Sequence, residues 1–175
     1  MPAAWKLTAA RDAGPGGTVV INGAEGEPGS AKDMALLQTR PHLVLEGALA
    51  VADAIRAREV VIWLHESAGA SRASMAEAVR ERRDELNVRV RMLLAPEGYV
   101  GGEASAVISA VRGGPALPQF SRDRVRPWGD GPAVLVHNAE TQARLGLLAL
   151  GGDAVATSLV TVAESAAPLN FVRRT

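Results

Sequence analysis

Residues 23–29, Gly-Ala-Glu-Gly-Glu-Pro-Gly, set two carboxylates, Glu25 and Glu27, among three glycines. Glycine lets a backbone approach a ligand closely and turn through positive φ. Carboxylates on such a bend accept hydrogen bonds from ribose hydroxyls or amides and repel phosphate. The spacing is not the G-x-G-x-x-G dinucleotide fingerprint, and a solvated acidic turn is the plainer account of the spacing alone. A second segment, Gly98-Tyr-Val-Gly-Gly-Glu103, joins a predicted strand to a predicted helix. Free backbone N–H groups and the helix dipole there favour an anion or a carbonyl oxygen. Tyr99, the only tyrosine, can border a planar ring. A simple tight turn at Gly101-Gly102 is the alternative, and the residues do not choose between the two.

Of nineteen basic residues only Lys6 and Lys32 are lysine. A chain so biased to arginine keeps lysine where a compact ammonium is needed, or by chance. His42, His65 and His137 stand in separate contexts without metal-ligand spacing. His65-Glu66-Ser67 suggests a hydrolase, but no G-x-S-x-G elbow is present and a loop histidine is the simpler reading. Arg112, Arg122, Arg124 and Arg126 flank a long loop with only Phe120 and Trp128 as aromatics, a poor pattern for nucleic acid. With no cysteine among 175 residues, the chain has no thiolate for a disulfide, a zinc site, a nucleophile or an iron–sulfur cluster. The net charge of zero gives no global field toward nucleic acid or anionic membrane. The most hydrophobic stretch, residues 43–55, is interrupted by Glu46 and Asp53 and is too short to span a bilayer. A soluble, cytoplasmic protein is expected.

These residues need a scaffold, and the hydrophobic pattern supplies one. Thr18–Asn22, Val60–Leu64, Val88–Leu94 and Ala133–Val136 read as strands, with 157–163 a possible last one. The third alternates Val88, Val90, Met92 against Arg89 and Arg91, as an edge strand does. Helices are predicted after Ser30, whose spacing to Asp33 resembles a capping box, from Pro41, over 71–86, after Glu103, and from Asn138 to about Leu150. Residues 1–17 read as irregular, 113–132 as a long loop, and 164–175 as a tail. Alternation of strands and helices predicts one α/β domain over 1–175, a mostly parallel Rossmann-like sheet with helices on both faces. The loops after Asn22, Leu64, Leu94 and Val136 then share one edge of that sheet, where such folds bind ligands.

Three ordered segments resemble a known family. Asn22-Gly23-Ala24-Glu25-Gly26-Glu27-Pro28-Gly29-Ser30-Ala31-Lys32-Asp33 is similar to N-A-D-E-G-E-P-G-[ST]-x-K-D, Tyr99–Ala106 to Y-x-x-G-E-E-[ST]-A, and Pro132–Thr141 to P-T-x-x-x-N-N-V-E-T. Pro41-His42-Leu43 with Glu46-Gly47 fits P-H-x-x-x-E/D-G. These motifs belong to the flavoprotein subunit of respiratory complex I and to related subunits of NAD-dependent hydrogenases and formate dehydrogenases. The resemblance implies an FMN-binding α/β domain in which NAD(P)H delivers hydride to the flavin and a partner or subunit supplies the electron acceptor. Flavin contacts are then expected from Lys6, Asn22, Glu25, Tyr99, Gly102, Glu103 and Asn138, with Glu27 on the nicotinamide side and no catalytic side chain, because the flavin carries the chemistry. Pro2–Lys6 is similar to the family's P-T-x-x-K, which places Lys6 near the phosphate or ribityl chain.

The sequence also departs from the pattern. The family's G-R-G-G-A-G-F loop lies just upstream of P-T-x-x-K, with Met1 in place of its phenylalanine, so weakened phosphate binding is expected. Ala24 stands for an aspartate, Ala104 for the second glutamate of G-E-E, and His137 for the first asparagine of N-N. Ala9 stands about where an aromatic would help stack NADH. Residues 157–163 resemble the start of the family's later β-grasp-like region, and the family's cysteine-bound cluster has no counterpart. These departures leave a second expectation open: a non-catalytic homologue serving as a partner-binding or regulatory module.

Overall fold

The computed structural model describes residues 3–27, 29–119, 126–153, 158–162 and 170–174. In chain order the elements are α1 (Ala3–Asp12), β1 (Thr18–Asn22), α2 (Lys32–Thr39), α3 (Pro41–Ala54), β2 (Glu59–His65), α4 (Gly69–Glu81), β3 (Arg89–Ala95), α5 (Ala104–Val111), β4 (Val134–Asn138), α6 (Ala139–Ala149), β5 (Ser158–Val162) and β6 (Asn170–Arg174). Strands β1 to β4 form one parallel sheet in the order β3-β2-β1-β4, and β5 pairs with β6 in a separate antiparallel ribbon.

The register explains the strand sequences. Asn22 lies opposite both Trp63 and Asn138, and His65 opposite Ala95, so the C-terminal ends of all four strands share one edge. Interior strands β1 and β2 are covered on both faces. Val19, Val20, Ile21 and Val60 through Leu64 are therefore all buried rather than alternating. Strand β3 is the outer edge, and Arg91 there reaches back to Glu59 of β2 through paired hydrogen bonds of 2.8 and 3.2 Å. A bidentate pair of this kind lets a charged edge residue sit beside a buried strand.

Helices α2, α3, α4 and α6 pack against one another, and α3 lies against β1 and β2. Right-handed connections put α5, on the return from β3 to β4, across the sheet from α3 and α4. Helices α3 and α6 touch backbone to backbone. A Cβ on Gly47 would overlap the Gln142 carbonyl, and one on Gly146 the Leu43 carbonyl. Glycine at both positions is what allows the approach.

Several sequence expectations need correction. Residues 1–17 are not irregular throughout, because 3–12 form α1, whose Ala9 and Ala10 join the core. The capping box does not form. Ala31 holds the cap position before α2 and makes no side-chain cap, while the Ser30 hydroxyl donates to Glu25 and Asp33 accepts from the Glu140 amide. The fourth helix spans Gly69–Glu81 rather than 71–86, and a separate 3-10 turn holds Arg83–Glu85. The tail is partly strand, since Asn170–Arg174 pairs with β5; residues 163–169 and Thr175 lie outside the described residues. Within the 113–132 loop, residues 120–125 also lie outside them, and the described remainder has neither helix nor strand. Trp128 of that loop is buried in the core.

Candidate functional site

Strand order reverses between β1 and β4: the chain moves outward from β1 to β2 to β3, then returns to the other side of β1. In open parallel sheets the crevice at such a reversal, beyond the strands' C-terminal ends, is where a ligand fits. Here those ends are Asn22 and Asn138. A cleft of about 310 Å³ opens between them, lined also by Lys6, Ala104, His137 and Thr141. Among the described residues no carboxylate lines it.

Helix α1 brings Lys6 to this cleft. Its Nζ donates to the Val136 carbonyl at 3.4 Å, and burial holds its ammonium below the usual lysine range. Among the described residues it has no carboxylate partner. Beside it on β4, His137 is buried, and neither ring nitrogen has a hydrogen-bond partner among the described residues. Burial first, and the Lys6 charge second, push the imidazole down to about 4, so the ring is neutral at pH 7.

Asn22 ties the two glycine segments together. Its Nδ2 donates to the Gly102 carbonyl at 2.8 Å, and its Oδ1 accepts from the Ala24 amide at 3.2 Å. Trp63 Nε1 donates to the Gly101 carbonyl at 2.8 Å, and the His65 ring meets the Pro96 carbonyl at 3.0 Å. The segments meet so closely that a Cβ on Gly102 would overlap the Ala24 carbonyl. The glycine pair is therefore more than a tight turn: it is the seam along which two strand-end loops join. Tyr99 opens the 3-10 turn Tyr99–Gly102 at that seam.

The acidic residues are used differently. Glu25 accepts from the Ser30 hydroxyl and from the Asp33 amide at 3.2 Å, and Lys32 approaches it at 3.3 Å. Lys32 also meets Asp33 at 3.0 Å. Burial opposes the Lys32 charge, but Asp33 and Glu25 outweigh it and hold the ammonium above its usual range. The second lysine thus braces the acidic loop onto α2. Glu103 caps α5, its Oε2 accepting from the Ser105 and Ala106 amides at 2.8 and 3.1 Å. Asn138 caps α6 by accepting from the Thr141 amide at 2.9 Å. Glu27 is exposed.

Of the residues expected from sequence, the fold brings Lys6, Asn22 and Asn138 to one cleft, with Gly102 bonded to Asn22 at its border. The carboxylates of Glu25 and Glu103 are turned to the chain's own donors. Sequence reasoning passed over His137 and Thr141 as cleft residues. The available signal was position, since they flank the start of α6 at a strand end.

Among the described residues, a half-buried ammonium without a counter-ion and a neutral imidazole without a partner line the cleft beside two strand-end side-chain amides. An α/β nucleotide-binding domain is the class that the sheet order and this cleft define. The chain belongs to the Nuo51 FMN-binding domain family, whose model matches residues 1–146. It is 28% identical over 155 residues to an NADH-quinone oxidoreductase subunit of Aquifex aeolicus, covering 81% of this chain and 35% of that protein. It is 26% identical over 153 residues to the like-named protein of Mycobacterium bovis, covering 77% and 33%. An NAD+-reducing [NiFe]-hydrogenase in the H2-reduced state superposes with a TM-score of 0.77 at 26% identity, over 87% of this chain and 28% of that one. The chain therefore spans about a third of the length of these curated relatives. The expected fold and family hold, and FMN is the cofactor that the family's description names. No described helix is long and apolar enough to cross a membrane.

Proposed function

We propose that this chain is an FMN-binding domain serving NAD(P)H-linked oxidoreduction, with a partner subunit supplying the electron acceptor. The observation that carries the reading is Lys6, an ammonium held half-buried at the β1/β4 reversal with no carboxylate partner among the described residues. A phosphate monoester at that position supplies the missing counter-charge, so the lining fits the phosphate end of FMN. Lys6 and Asn138 would hold the phosphate and ribityl chain. Asn22, Gly102 and Tyr99 would border the ring, and Glu25 and Glu103 would keep the two loops in place as well as offer acceptor oxygens. Glu27, exposed on the acidic loop, would face the nicotinamide. Bound flavin supplies hydride acceptance and onward electron transfer; the protein supplies placement and polarity.

Titration with FMN and with riboflavin tests the reading. FMN is expected to bind, and Lys6→Met to weaken FMN at least about tenfold while leaving riboflavin nearly unchanged, since a desolvated charge-assisted bond is worth roughly 1.5–3 kcal/mol. No flavin binding at about tens of micromolar, a range far weaker than a resident cofactor needs, refutes it. A second reading, a partner-binding module without turnover, is favoured by one observation: the Glu25 and Glu103 carboxylates are engaged within the chain. NADH oxidation with an artificial acceptor, abolished by Glu27→Gln, rules that reading out.

A further inference from the structure

His137 is the residue of the cleft left without a role. It is 5% exposed, both ring nitrogens lack a hydrogen-bond partner among the described residues, and it stands on the strand end that lines the cleft. A buried imidazole normally has at least one nitrogen bonded, because leaving both unpaired forfeits the hydration that each had in water.

The charged groups around it are few. Elements packed against β4 are β1, α1, α5 and α6. Neither β1 nor α5 contains a titratable residue. On α6, Glu140 bonds the Leu159 amide and pairs with Arg144. On α1, Arg11 and Asp12 are exposed at the far end, and Lys6 is the charge that acts on the ring. Two basic groups thus share one recess, where burial first and the Lys6 charge second keep the imidazole neutral.

We propose that His137 is a proton-coupled anion ligand: a phosphomonoester entering beside Lys6 supplies the imidazole's missing acceptor and draws one proton from solvent onto it. The bound unit is then ammonium, imidazolium and phosphate dianion, which neutralise one another. The inference rests on the FMN reading and adds to it a proton that keeps recognition of the phosphorylated flavin from weakening as pH falls through the phosphate's own second ionisation at about 6. Burial and Lys6 hold the ring near 4 while the cleft holds no anion, so proton uptake accompanies binding across the mildly acidic range.

The test is calorimetric titration of FMN into wild type, His137→Asn and His137→Gln, repeated in buffers of different ionisation enthalpy to count protons. Riboflavin serves as the ligand without phosphate. The variants correct for the titration of the FMN phosphate itself. Relative to either variant, wild type is expected to take up close to one additional proton, and to gain up to about tenfold in FMN affinity per pH unit between about pH 6.5 and pH 5. Riboflavin affinity is expected to show no such difference. Equal proton counts and parallel pH profiles for wild type and variants overturn the inference while leaving the FMN reading intact. Failure of FMN to bind at any pH overturns both. If neither variant folds, the wild-type contrast between FMN and riboflavin decides: an FMN advantage that falls about tenfold per pH unit below about pH 6, as the phosphate's own protonation alone dictates, overturns the proposal, and one that stays level supports it.

Discussion

Replacing Gly102 with alanine adds one methyl group at the seam of the cleft. Gly102 does not have positive φ, so its backbone suits alanine and the effect is purely one of space. The new Cβ would overlap the Ala24 carbonyl oxygen, a backbone atom that no rotamer change can move aside. The two loops must part by on the order of 1 Å to restore an ordinary carbon–oxygen contact. Two bonds cross that seam, Asn22 Nδ2 to Gly102 and Trp63 Nε1 to Gly101, each at 2.8 Å. Parting of that size takes them beyond about 3.5 Å, where they cease to be hydrogen bonds. Stranding the buried indole N–H costs about 1–3 kcal/mol, and the Asn22 bond about 1 more. A loss of about 2–4 kcal/mol is expected, seen as a fall of about 5–15 °C in Tm, with FMN affinity reduced at least tenfold. Gly69→Ala is the control. Nothing lies within 4 Å of its would-be Cβ, and it begins a helix, so its Tm should hold or rise slightly. A Gly102→Ala protein melting within about 2 °C of wild type and binding flavin normally would refute the seam argument.

Three other outcomes follow from the same contacts. Gly47→Ala should destabilise by about 3 kcal/mol, although alanine in a helix normally gains up to about 1, because its methyl would strike the Gln142 carbonyl where α3 crosses α6; urea denaturation showing a stabilised variant would sink this. Glu25→Gln should cost about 1–3 kcal/mol, since Ser30 and the Asp33 amide bond different oxygens, glutamine keeps only one of those acceptors, and the Lys32 charge pair is lost; an unchanged midpoint would show the acidic loop needs no brace. Stability should also fall on acidification. His137 binds a proton in the unfolded chain near its ordinary 6.5 but in the folded chain only near 4. Its full contribution is therefore present above about pH 6.5, is lost progressively down to about pH 4, and amounts to about 3 kcal/mol. Chemical denaturation across that window should show the slope in wild type and a flatter curve in His137→Asn.

Local chemistry made much of this molecule legible. Residues Thr18–Asn22 and Val60–Leu64 are rich in β-branched apolar side chains, and such short runs suit a strand covered on both faces. The alternation of Arg89 and Arg91 with valines marked an edge, and the edge is where β3 lies. Asn138 announced the α6 cap, because the hydrogen bond it makes spans three residues. Strand alternation even gave the sheet edge that carries the cleft. What sequence could not give was which of the available groups the fold brings together. Ser30 has two possible partners in local terms, the amides of its own helix and Glu25, and the fold chose Glu25 because Lys32 and Asp33 had gathered there. Whether Lys6 faces solvent or a recess depends on α1 docking 130 positions away on β4. His137 reads as one more histidine until burial strips both nitrogens of partners and Lys6 settles beside it. Desolvation and the nearness of charge are properties of assembled surfaces, so they arise only once the strands have been set side by side.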